Sequence, residues 1–242
     1  AHPDPSCYAA RPMPAEATIE LAGESITLFP ERAMFVPSCG TLLVADLHLG
    51  KAETYRSLGV PMPEGIAEES LERLELAIDR ICAASVIVLG DLVHCEEGME
   101  DPVIELMARW RRRVSLPVSL IGGNHDAAVS IPRSWRIEDD GAERRLGPFR
   151  LQHHPRPTDA AFDAGDPVVL AGHLHPVLSL GAGAGFTMAS APCFLPSAKA
   201  CALASGLVSF CTNTTEALLS RAIWVSMCSA DNRRLAARST KI

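Results

Sequence analysis

The stretch 41-TLLVADLHLGKAETYRSLGVPMP-63 decides how this chain is read. It opens as an unbroken apolar run, Thr41 to Ala45, as a strand covered on both faces does. Asp46, His48 and Lys51 follow at once. A carboxylate and an imidazole at the end of a buried strand are unfavourable unless paired or bound to a metal. The stretch therefore predicts partners elsewhere in the chain.

Working outward, 85-SVIVLG-90 and 117-PVSLIGG-123 are two more runs of the same kind. Residues 63–84 place Ile66, Leu71, Leu74, Ile78 and Ile81 at helical spacing, with charges between them. Residues 101–114 read as a second helix, with Asp101 as N-cap and Pro102 at its first position. This alternation predicts an α/β fold on a largely parallel sheet. Upstream, 17-ATIELAGESITLFPERAMFV-36 alternates apolar and polar residues around Gly23, Glu24 and Pro30, as antiparallel strands do. Past residue 134, the runs at 144–154, 167–175, 177–191 and 203–210 predict strands without intervening helices. The Pro-rich residues 1–16 read as a loose arm. No repeat or linker marks a second domain, so 1–242 is expected to be a single domain.

Composition narrows the function classes. With 48% hydrophobic and 21% charged residues, the chain is ordinary for a globular protein. Its net charge of −7 gives no sign of a dedicated basic nucleic-acid face, although bound cations would offset that charge at a phosphate site. The dense basic cluster 109-RWRRR-113 reads as a solvated helix end, with Trp110 in the core or an interface rather than a base-stacking platform. The eight Cys include no CxxC pair and read as free thiols of a reducing compartment, with Cys82 as a small core residue and Cys95 lining a loop. The N-terminus lacks a signal-peptide pattern, and the longest apolar stretch, 193–210, is broken by Pro196, Ser197 and Lys199. The expectation is a cytoplasmic protein with no membrane partner. The Gly-rich 181-GAGAG-185 lacks the Lys and helix of a phosphate loop and reads as a turn.

The partners of Asp46 and His48 come at the ends of the other strands. They are Asp91 after Gly90, then Asn124-His125-Asp126 after two glycines, His153-His154, and His173-Leu174-His175. In an open α/β sheet, sites form beyond the carboxyl ends of the strands, so these clusters should converge on one rim. Carboxylates and neutral imidazoles suit Mn, Fe or Zn. Asp46, His48, Asp91, Asn124, one of His153 and His154, His173 and His175 make seven donors. That is too many for one ion and suits two ions about 3.5–4 Å apart. Asp91, in the middle of the order, is the natural bridge. Neighbouring strand residues point to opposite faces, so only one of His153 and His154 is expected to reach the metals.

The series D-x-H, GD, GNHD, H and GHxH over residues 46–175 resembles the calcineurin-like metallophosphoesterase superfamily. More narrowly, "VADLHLGKAETYRSLGVPMP", "LGDLVH", "GGNHD", "HHPRP", "LAGHLHPV" and "APCF" resemble the bacterial ligase-associated DNA damage response endonuclease (PdeM) family. After "APCF" the chain departs from that family, so the tail from about 200 to 242 is outside the match.

The resemblance implies a four-layer αββα sandwich of two mixed sheets flanked by helices. It implies that Asp46, His48 and His175 hold one metal, that Asn124, His153 and His173 hold the other, and that Asp91 bridges. The expected metal is Mn²⁺, with Fe or Zn as alternatives. His125 is implied to contribute to leaving-group protonation or phosphate binding, with Asp126 orienting it. Lys51, Arg56 and His154 are candidate phosphate contacts, while His94 is a further rim position. The implied activity is hydrolysis of phosphodiester bonds, of DNA in a repair context, by a metal-bridging hydroxide. DNA ligase and helicase partners come with the family name. The alternatives are a small-molecule phosphoesterase, for a nucleotide or a UDP-diacylglucosamine-type pyrophosphate, and a non-catalytic scaffold on the same fold.

Overall fold

The computed structural model describes residues 16–155 and 167–175, and the strand backbones of 177–181, 187–192, 195–196 and 222–224. The larger sheet has seven strands in chain order: β1 (Ala17–Leu21), β2 (Glu24–Phe29), β3 (Ala33–Val36), β4 (Thr41–Val44), β5 (Ser85–Val88), β6 (Val118–Leu120) and β7 (Glu138–Asp139). β1 to β4 pair antiparallel, and β4 to β7 pair parallel. The sheet is therefore mixed. Three α-helices are described: α1 (Lys51–Ser57), α2 (Ile66–Ile81) and α3 (Asp101–Arg113). Helices α1 and α2 cross over from β4 to β5, and α3 from β5 to β6.

Strand alternation sorts the core into two layers. Leu42, Val44, Val86, Val88, Val118 and Leu120 face α2 and α3, packing on Leu71, Leu74, Ile78, Met107 and Trp110. Their neighbours Leu43, Ala45, Ile87, Leu89 and Ile121 face the other way. They meet Leu146, Phe149, Leu151, Val168 and Leu170 of a second sheet. That sheet runs β13 (Leu195–Pro196), β14 (Ala222–Trp224), β10 (Val168–Ala171), β9 (Phe149–Gln152), β8 (Glu143–Leu146), with β14, β10 and β9 mutually parallel. β11 (Val177–Gly181) and β12 (Thr187–Pro192) form a separate hairpin. Helices, sheet and sheet form three successive layers, and the outer helical layer expected beyond the second sheet lies outside the described residues. So do the arm at 1–15, the run at 203–210 and most of the tail, from which only β14 is described.

Residues 51–57 form α1, a helix that the sequence patterning does not announce. Three local expectations are corrected. Asp101 is the first residue of α3 and Glu100 occupies the N-cap, with no side-chain cap bond. Cys82 is exposed and ends α2 in the left-handed conformation, φ 49°, so it is not in the core. Within the basic cluster, Arg111 is buried, while Arg112 and Arg113 pair with Glu105 and Glu75. Trp110 is a core residue, as expected, and Cys39, Cys82 and Cys95 are free thiols. Among the described residues, no helix is long and apolar enough to cross a membrane.

Candidate metal centre

Parallel pairing continues past the ends of β4 and β5. Asp46 N donates to Gly90 O at 3.0 Å, His48 N to Asp91 O at 2.9 Å, and Leu49 N to Leu92 O at 2.9 Å. Leu47, Leu49, Leu92 and Val93 enter the helix-side core, which leaves the polar residues between them on the opposite face. The backbone there is strained. Asp46, His48, Asp91, His173 and His175 all have φ between 46° and 74°, a region non-glycine residues rarely adopt. Such strain gathers where function over-determines a conformation. Two glycines make the close packing possible. A Cβ on Gly90, itself at φ 83°, would overlap the His153 ring, and one on Gly123 would overlap Asp91.

The converging side chains fall into two groups that meet at Asp91. In the first, the donor atoms of Asp46, His48, Asp91 and His175 lie within 4.8 Å of one another. His48 Nε2 is 3.2 Å from His175 Nε2 and 3.8 Å from Asp91 Oδ2, and His175 Nε2 is 3.7 Å from Asp46 Oδ1. Asp46 also accepts the backbone N–H of His173 at 3.0 Å, tying β4 to the loop after β10. In the second group, His153 Nε2 is 3.1 Å from Asn124 Oδ1, 3.2 Å from His173 Nδ1 and 3.3 Å from Asp91 Oδ2. Asp91 Oδ2 thus faces both groups. All seven expected donors are brought together, from five loops.

His153 and His154 both come near. They lie in a bend after β9, so strand alternation does not separate them. His153 is buried, and its Nδ1 donates to Leu89 O at 2.9 Å, which directs Nε2 toward Asp91. His154 is exposed, with its ring 4.4 Å from that of His173.

The electrostatics suit a cation. Burial, with His175, Lys51 and His125 nearby, lowers the His48 pKa to about 2 against the pull of Asp91. Burial, with Lys51 and other imidazoles nearby, lowers His175 to about 4. Burial also lowers His173 and His154. These are neutral imidazoles at neutral pH, the form that ligates metals. For Asp91, burial pushes up, but His153 and the His125 backbone N–H outweigh it, and its pKa is lowered to about 2. His153 is raised because Asp91 and the Leu89 carbonyl outweigh burial. His48 Nδ1 is buried with no hydrogen-bond partner. Imidazole nitrogens facing each other at 3.2 Å, beside buried carboxylates, form a donor set that fits divalent cations.

The remaining candidates are placed as follows. His125 stands over the centre, with its Nδ1 donating to His94 O at 2.5 Å. Asp126 does not touch that ring. It accepts three backbone N–H groups, from Asp91 at 2.8 Å, Val93 at 3.0 Å and Gly123 at 2.9 Å, and so clamps two site loops together. Burial raises its pKa against those bonds. Lys51, at the start of α1, lies close enough to influence His48, His94 and His175. Arg56 turns away to Glu53 and to the Pro63 carbonyl at 2.9 Å, bracing the loop after α1. His94 packs between His125 and Tyr55, a role that residue type alone did not signal.

The comparisons with known proteins agree with this geometry. The family model described as calcineurin-like phosphoesterase matches residues 41–184, which include every donor. The solved structure of nuclease MPE from Pseudomonas putida is similar at 32% identity, covering 76% of this chain and 83% of that one, with a TM-score of 0.63. No curated protein matches.

Proposed function

The chain belongs to the calcineurin-like phosphoesterase family and is a metal-dependent phosphoesterase, and from that premise we propose that it is a two-metal phosphodiesterase cutting DNA as an endonuclease. The observation that carries this is Asp91 facing two donor groups at once. Asp46, His48 and His175 would hold one cation, and Asn124, His153 and His173 the other, with Asp91 shared. Two divalent cations in such a site supply an activated water and stabilise charge on the phosphoryl oxygens. Mn²⁺ is the metal proposed. The nuclease similarity supports DNA as substrate. A repair setting in the cytoplasm, with ligase or helicase partners, rests on the family resemblance alone.

The chain's own residues take the rest of the work. Asn124 and Lys51 hold phosphoryl oxygens at the rim, with exposed His154 beside His173. With Nδ1 fixed on the His94 carbonyl, the His125 ring turns Nε2 toward substrate, where its protonated form gives the proton to the departing alkoxide. Asp126 keeps the loops carrying Asp91 and His125 in register.

A second reading, hydrolysis of a nucleotide or nucleotide-sugar pyrophosphate, draws on the net charge of −7. The test is Mn²⁺-loaded protein assayed on bis-p-nitrophenyl phosphate and single-stranded DNA, with Asp91→Asn and His125→Ala beside it. Cleavage of both substrates, with both lost in Asp91→Asn and DNA cleavage lost in His125→Ala, supports the nuclease. Cleavage of the small diester alone moves the reading to a small-molecule substrate. Two bound metals with no cleavage of either would favour a scaffold.

A further inference from the structure

We propose that Tyr55 and His94 are positioning residues, a ladder of rings through which helix α1 sets the His125 imidazole. The inference rests on the reading of His125 as the leaving-group acid. Tyr55 lies on α1 one turn after Lys51, and its ring stacks on His94 at 6.1 Å between centroids and 23° between planes. His94 stacks in turn on His125 at 4.8 Å and 21°. His94 also takes the His125 Nδ1 proton on its own carbonyl. One residue thus holds both the face and an edge of the His125 ring. His48 stands nearly perpendicular to both rings, at 5.4 Å and 4.8 Å, and closes the inner side.

The ladder is fixed to its helix. Gly50, the N-cap of α1, packs so closely on Gly98 that a Cβ on either would overlap the other's backbone. Thr54 Oγ1 is 3.0 Å from Gly50 O and 3.1 Å from Cys95 Sγ. α1 and the 94–98 turn therefore form one packed unit, and a displacement of the helix is passed to His125. His94 Nδ1 is buried with no hydrogen-bond partner, so its ring is held by stacking. Proton transfer depends steeply on such placement. A p-nitrophenolate leaves without a proton, whereas a sugar alkoxide needs one, so a misplaced acid should penalise DNA alone.

The experiment compares Tyr55→Leu and Tyr55→Phe with wild type and His125→Ala, on single-stranded DNA and bis-p-nitrophenyl phosphate, with Mn²⁺ content measured throughout. In Tyr55→Leu, kcat on DNA should fall by about tenfold, part of the general-acid contribution, with less than about twofold loss on the aryl diester. Metal content should be unchanged, and Tyr55→Phe should restore the DNA rate. Nitrogen spectra of the metal-free protein give an independent reading, in which Tyr55→Leu should shift or broaden the His125 ring signals. Equal losses on both substrates, or no loss on DNA where His125→Ala shows one, overturn the positioning role. If His125→Ala itself affects both substrates equally, the acid reading fails, and the ladder with it.

Discussion

At the end of α3, the Arg111 guanidinium is 3% exposed and every nitrogen finds an acceptor. It donates to Trp135 O at 2.8 Å, Val114 O at 2.7 Å, Leu116 O at 3.1 Å and Arg136 O at 3.3 Å. At the strand-end rim, His48 is 7% exposed, its Nδ1 has no partner, and its Nε2 faces another imidazole nitrogen. Burial lowers the pKa of both groups. The arginine gives up water and regains its hydrogen bonds from carbonyls between α3 and β6 and from the turn before β7. The rim gives up water and regains too little. A buried polar cluster that satisfies itself stabilises the fold, while one left incomplete is shaped for something that binds.

Breaking the two clusters should give opposite phenotypes. The largest effect is expected from Asp91→Asn, which removes the charge shared by both donor groups. Activity should fall beyond the about 100-fold that loss of an outer-shell metal partner costs. The circular dichroism spectrum should stay native. A folded Asp91→Asn with near wild-type turnover would break the comparison. Arg111→Ala should do the reverse, costing about 3 kcal/mol of stability through unpaired carbonyls, read by urea unfolding. Its kcat/KM below the transition should stay within about twofold of wild type.

A smaller effect sharpens the contrast. Mn²⁺ at about 100 times its Kd should stabilise the wild type by about 2.7 kcal/mol for each site filled. Arg111→Ala should gain the same increment and Asp91→Asn much less, as thermal unfolding would show.

The smallest effect is on pH. His48, His175 and His94 have folded pKa values lowered to about 2, 4 and 4. Below about 6.5 the unfolded chain binds protons that these rings refuse. Their contribution is complete above that pH and is lost as pH falls toward 4. The raised His153 works the other way, giving stability below 6.5 that is lost as pH rises through its folded value. Asp91 is lowered to about 2 and adds stability that is lost only below about pH 4. With five lowered rings (His48, His94, His154, His173 and His175) against the raised His153 and Asp126, the metal-free protein should lose stability on acidification from pH 6.5 to 4. Stability rising over that range would contradict these assignments.

Much of this was legible in the sequence because two signals coincide. The three runs ending at Ala45, Gly90 and Gly123 announce parallel strands, and the ligand-type residues after each announce the rim. Helix α1 was missed because seven residues carry little periodicity and its N-cap, Gly50, offers no side-chain cap. Cys82 was misplaced because an apolar run hides the left-handed turn that ends α2. The Asp126 clamp escaped because its partners are backbone N–H groups, which have no sequence signature. The burial of Arg111 escaped because its acceptors are carbonyls of distant loops.

The central claim is a site for two cations that share Asp91, and the measurement that tests it most directly is Mn²⁺ stoichiometry at equilibrium. Metal-free protein would be dialysed against Mn²⁺ and counted by mass spectrometry, wild type beside Asp91→Asn. Two ions per wild-type chain and a loss of bound metal in the variant are expected. One ion or none in the wild type, or two retained undiminished in Asp91→Asn, would contradict the claim.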